Sequence, residues 1–163
     1  MACRGVFFAL TSAQETALIA TRDDHEVRAF VEDVEGAWDK PWLCETDKAW
    51  DAMHRCLGDG TLGCGRRASA LDLAVLGGGH HYEGEEYVVA HVGANEVAQV
   101  SAALETVTET WMRERYDHID PSDYQGQLDD EDFASTWYWF LQVRDFYRRA
   151  AAANRAVVFT VDQ

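Results

Sequence analysis

The sequence predicts an α+β fold: a single domain in which a small mixed sheet of three to four strands is packed by about five helices. Three observations carry that expectation. Short apolar runs at Gly5–Leu10, Tyr87–Val92 and 156–161 read as buried strands, and 71–76 reads as another. Between them lie segments whose apolar residues recur at helical spacing. The length of 163 residues fits one domain, which at this size buries roughly 68–70% of its unfolded surface.

In chain order, Gly5–Leu10 opens the sheet. Thr11 or Ser12 then caps a helix, with Glu15 placed as the capping-box partner of Ser12. A helix over 24–34 presents Val27, Phe30, Val31 and Val34 on one face, and 36–41 breaks the chain, Pro41 favouring an extended residue before it. Residues 46–57 read as one helix with Ala49, Trp50, Met53 and Leu57 inward, stopped at Gly58. The strand over 71–76 ends at Gly77-Gly78-Gly79, and Tyr87–Val92 follows. Helices over 95–106 and 111–116 precede a long polar loop, 117–128.

The last third is the most ordered by pattern. Asp129, Asp130, Glu131 and Asp132 precede an aromatic-dense helix that closes on Arg148 and Arg149, a charge order that complements the helix dipole. Phe133, Trp137, Phe140 and Leu141 form one apolar stripe, and Trp139, Val143, Phe146 and Ala150 form another. Two stripes imply a central, sandwiched helix with Trp137 and Phe146 both largely buried. The strand at 156–161 is expected to pair with Gly5–Leu10 or with 71–76.

Charge narrows the function. The net charge is −15, with 29 acids against 14 bases. Such a field repels phosphate backbones and anionic lipid, so neither nucleic acid nor a membrane surface is an expected partner; a basic protein or a cation is. An acidic proteome background is the competing explanation. No run of about 18 apolar residues is present to span a bilayer, and no basic-then-apolar leader opens the chain. The expected location is the cytoplasm. Cys3, Cys44, Cys56 and Cys64 form no C-x-x-C pair, so they read as reduced thiols.

Several segments, taken in order, carry a resemblance. They are Gly5–Leu10, Asp47-Lys48-Ala49-Trp50 with His54, Leu76-Gly77-Gly78, and Tyr87 ahead of Glu96-Val97. Arg115-Tyr116-Asp117 and Phe146-Tyr147-Arg148-x-Ala150-Ala151 complete the set. Over nearly its whole length the chain resembles the YfbM-like family of bacterial proteins of unknown function. It departs from the family pattern at Gly93-Ala94, where a Thr-Pro helix opening is usual, and in a 77–86 loop rich in His and Glu. The resemblance implies a small cytoplasmic α+β domain and no activity.

The residues themselves offer few catalytic signals. His80 and His81, with Glu83, Glu85 and Glu86, supply zinc-type ligands, but adjacent histidines diverge on extended chain, so no metal is expected. Gly77-Gly78-Gly79 lacks a following helix and a nearby cation, which leaves a strand exit in place of a phosphate cradle. The acids at 129–132 lack calcium-loop spacing and read as a helix cap. Trp50 and His54 share a helix face, where a histidine could act as a base lining a cleft. Tyr138 lies outside both stripes as an exposed aromatic.

Two functional expectations follow. The first is a non-enzymatic, immunity- or inhibitor-like protein without cofactor. It would bind a basic protein partner through an acidic face that joins Glu83, Glu85 and Glu86 to Asp129, Asp130, Glu131 and Asp132. The second is an enzyme or small-ligand binder with a pocket around Lys48, Trp50, His54, Tyr87 and Tyr138.

Overall fold

The computed structural model describes residues 3–63 and 67–162; Cys64 lies outside them. The strands β1 (Gly5–Leu10) and β5 (Ala156–Asp162) are apolar at nearly every position because both faces of the sheet are covered. Alternate residues serve opposite layers. Phe7, Ala9, Val157, Phe159 and Val161 point into one core, while Phe8, Leu10, Ala156 and Val158 point into the other.

The second core is roofed by α1 (Ser12–Ile19) and α2 (Asp24–Ala37) through Leu18, Val27, Val31 and Val34. The first, larger core is roofed by α3 (Trp50–Leu57), α4 (Ala94–Glu105), α5 (Glu109–Tyr116) and α6 (Asp130–Ala152). The molecule is a single α+β domain of three layers.

The sheet has five strands where three or four were expected, in the order β2-β1-β5-β4-β3, with β2 at Leu43–Asp47, β3 at Gly79–His80 and β4 at Tyr87–Val92. Every pairing is antiparallel, so the sheet is not mixed. The final strand does pair with the first, Leu10 opposite Ala156 and Gly5 opposite Val161.

Two segments differ from their sequence reading. Residues 46–57 are not one helix: β2 runs to Asp47, which turns the chain at a φ of 48°, and α3 starts at Trp50. Residues 71–76 are buried as the apolar run suggested, but they are a series of turns. Asp72 takes the Ser69 amide at 2.9 Å, and the Tyr147 hydroxyl donates to the Ala74 carbonyl at 2.7 Å. A turn whose polar groups are met inside the core needs no neighbouring strand.

Smaller corrections have equally local causes. Thr11 caps α1 with Gln14 as its box partner, which frees Glu15 for another role. Lys40 is not extended; it enters a short 3-10 turn, Lys40–Trp42, in which Pro41 sits where an amide would lack a partner anyway. α2 ends on Trp38 in left-handed backbone, φ 42° and ψ 52°. That position favours glycine or asparagine, and a bulky side chain there costs about 1–2 kcal/mol.

α6 packs on α3, α4, α5 and β2. Its buried line is Phe133, Thr136, Phe140, Val143, Phe146, Tyr147 and Ala150, one stripe taken from both of those expected. Phe146 is buried, but Trp137 is only half-buried, stacked on Phe140 at 5.2 Å. The loop 117–128 is pinned by Ile119 and Tyr124 in the core and by Arg55. The buried Arg55 guanidinium reaches Asp51 at 2.5 Å and Asp123 at 2.6 Å. Burial works against its charge, yet the two carboxylates hold it protonated.

Candidate functional site

The five residues expected to share a pocket are dispersed. Trp50 is buried in the larger core, its indole donating to the Cys3 carbonyl at 2.8 Å. His54 is buried on the same helix and bonded to the Gly63 carbonyl at 2.9 Å. Lys48 is exposed in the turn before α3. Tyr87 lies on the other side of the sheet, where its hydroxyl donates to Glu35 at 2.9 Å; Thr160 donates to the same oxygen at 3.2 Å. Burial and that carboxylate push the Tyr87 phenol far above its ordinary value. Tyr138 is 56% exposed on the outside of α6.

The two acidic segments also part company. Asp129 caps α6, Asp130 pairs with Arg113 of α5 at 2.9 Å, and Asp132 accepts the hydroxyls of Tyr116 at 2.5 Å and Tyr124 at 2.9 Å. These acids are built into the α3–α6 layer. The segment bearing Glu83, Glu85 and Glu86 is instead fastened to the opposite layer. The Asp24 carboxylate of α2 accepts the amides of Glu83 at 2.9 Å and Gly84 at 3.1 Å.

That clamp assembles a different acidic face. Asp23, the N-cap of α2, stands with Asp24 beside Glu83. Glu85 and Glu86 on the same segment, and Glu32 and Asp33 further along α2, are exposed as well. None of Asp23, Glu32, Asp33, Glu83, Glu85 and Glu86 forms a salt bridge with a described residue. Within it lies a cavity of about 600 Å³ lined by Asp23, Asp24, His25, His80, His81 and Glu83, with Arg22 at its side.

The histidines around it diverge. His80 Nε2 turns back to the Leu76 carbonyl at 2.8 Å, while His81 Nε2 meets Nδ1 of His91 at 3.3 Å. His91 Nε2 in turn meets Glu15 Oε1 at 3.1 Å. A carboxylate only accepts, so His91 donates its Nε2 proton to Glu15. Burial, then the neighbouring His91 and His80, holds His81 below the ordinary imidazole range. Among the described residues no three His, Cys, Asp or Glu side chains gather in a metal-holding arrangement.

Of the glycines at 77–79, Gly78 serves packing. A Cβ on Gly78 would stand 2.3 Å from the His91 carbonyl oxygen, so only glycine lets this turn lie against β4. Sequence reasoning missed Glu15, Asp24, Glu35 and His91. His91 alone left a trace, since alternation along β4 puts it on the Tyr87 face.

The fold and its clusters define a three-layered α+β protein with an acidic face on its α1–α2 layer. The chain belongs to the family described as Domain of unknown function (DUF1877), which matches residues 1–160. It is similar in structure to YfbM from Escherichia coli, a protein of unknown function. The identity is 18%, the match covers 99% of each chain, and the TM-score is 0.73, a likeness of fold. No curated protein matches the chain. No helix among the described residues is long and apolar enough to cross a membrane.

Proposed function

We propose that this protein is a non-enzymatic binding protein that meets a basic protein partner through the face formed by α2 and residues 81–86. The observation that carries the reading is the Asp24 clamp, because it holds the segment bearing Glu83, Glu85 and Glu86 against the acidic start of α2, Asp23 and Asp24. Six exposed acids without a salt bridge to any described residue leave their charge available to a partner. The cavity between them suits an inserted lysine or arginine side chain, with Asp24 and Glu83 as acceptors. The His81 imidazole, which burial holds towards its neutral form, adds no repulsion there.

The test compares two triple variants with the same change of charge. One is Glu83→Lys, Glu85→Lys and Glu86→Lys; the other is Glu109→Lys, Glu114→Lys and Glu131→Lys, on the opposite layer. Binding of octa-arginine is measured by calorimetry from about 50 to 300 mM salt, where the screening length shrinks towards atomic contact. The first variant is expected to lose about tenfold in affinity relative to the second, and to flatten the salt dependence. Equal losses in the two variants would reduce the charge to a diffuse property and sink the proposal.

A further inference from the structure

At the β2 edge of the sheet the molecule carries a second concavity, remote in charge and chemistry from the acidic face. It measures about 330 Å³, within the range of small-ligand pockets. Trp38 reaches it from the end of α2, Tyr138 and Trp139 from the outer side of α6, and Leu43 from β2. The groove therefore wraps around the edge strand and takes aromatic rings from both helical layers.

Three features set this groove apart from an ordinary crease. Trp38 and Tyr138 are two of the three large hydrophobic side chains that the described residues leave exposed, at 38% and 56%. Their meeting in one place is an aromatic surface that the core does not use. Next, Trp38 is held there against its backbone preference, in left-handed geometry where glycine fits best. Its edge contact with Phe8, at 6.1 Å between ring centres, leaves much of the indole open.

The third feature is charge. Lys40 and Arg149 line the groove against a single acid, Glu45, in a chain of net charge −15. Lys40 is one of only two lysines in the sequence, and it has no salt bridge among the described residues. Arg149 donates Nη1 to the Pro41 carbonyl and sets Nε 3.4 Å from Asp145, which leaves Nη2 donors unspent. Open rings call for a planar apolar group, and the adjacent cations call for an anion attached to it.

We infer that the groove between Trp38, Tyr138, Trp139, Lys40 and Arg149 binds a small aromatic carboxylate. The ring lies among the indoles and the phenol, and the carboxylate faces Lys40 and Arg149. The groove is too small for a folded partner, and its sign is opposite to that of the acidic face, so this activity is separate from the binding of a basic protein.

The probe is 2-naphthoate, set against 2-naphthylmethanol and 2-naphthylmethylammonium, with affinities read by ligand-observed NMR and calorimetry on the full chain. The acid is expected to bind about tenfold tighter than the neutral alcohol, the effect of one charge-assisted hydrogen bond, and the ammonium weakest. Tyr138→Ala and Lys40→Ala are both exposed changes that leave the fold intact. Each is expected to weaken naphthoate, and of the two only Lys40→Ala is expected to narrow the preference for acid over alcohol, with Arg149 still facing the carboxylate. Trp38→Gly is expected to lose naphthoate while its urea midpoint holds or rises, because the strained turn relaxes.

Equal affinity for the acid and the ammonium would overturn the inference, as would naphthoate binding untouched by Tyr138→Ala and Lys40→Ala. Sedimentation of the wild type as a dimer that Tyr138→Ala splits would assign the groove to a second copy of the chain, and would overturn it too.

Discussion

His54 donates its Nε2 proton to the Gly63 carbonyl, because a carbonyl only accepts, and its ring is otherwise sealed in the protein. Burial holds its protonation below the ordinary value of 6.5, outweighing the hydrogen bond and the nearby Asp51 and Asp72. The unfolded chain therefore takes up a proton near pH 6.5 that the folded chain refuses until lower pH. Above that pH the residue contributes no slope. As pH falls below it, stability drops by up to about 1.4 kcal/mol per pH unit for this proton, until the folded state titrates as well. His81 acts in the same direction, so the slope has two sources. Urea melts from pH 7.5 to 5 should show a shallower loss of stability in His54→Gln than in the wild type. Identical slopes would mean that His54 is protonated equally in both states.

At the scale of single elements, α6 is where the interior depends most on one segment. Phe146 touches Phe7 and Tyr147 at 6.0 Å between ring centres, and all three are buried. Phe146→Ala should cost about 3–5 kcal/mol, while Trp137→Ala, at a half-buried site, should cost clearly less. Equal midpoint shifts for the two in urea would contradict the burial difference. The helix itself was legible in the sequence, because its charge order and its periodicity agree. So were β1, β4, β5 and α4, whose patterns are long or flanked by clear breaks. β2 was hidden because Leu43 to Asp47 offers little alternation before a strong helix signal begins. The turns at 71–76 were misread because a short apolar run does not distinguish strand from buried turn. The site was the least legible part. Asp24 with Glu83, Glu35 with Tyr87 and Glu15 with His91 are side-chain meetings across the fold, and no local spacing announces them.

For the whole molecule the governing quantity is the −15 charge spread over three layers. Some acids are offset locally, as Glu105 is by Arg148 at 2.6 Å and Glu26 by Arg22 at 2.7 Å, but Asp23, Glu32 and Asp33 form no salt bridge with a described residue. Self-repulsion of this kind destabilises the compact state and is screened by salt. The urea midpoint should therefore rise as sodium chloride is increased from about 0.05 to 0.5 M, with a Debye length falling from above 10 Å to a few ångströms. A midpoint that falls would show that the surface pairs outweigh the repulsion.

The sheet order also dictates when the protein can exist. β5 lies between β1 and β4 and pairs with both. During synthesis at about 5–20 residues per second, the Phe7 and Phe8 faces leave the ribosome on the order of ten seconds before Phe159 and Val158 arrive to cover them. For that interval two hydrogen-bonding edges stand open, each matched to a strand not yet made. A sheet of this topology closes only once residue 162 has left the ribosome, and any helper that shields the open edges acts before then.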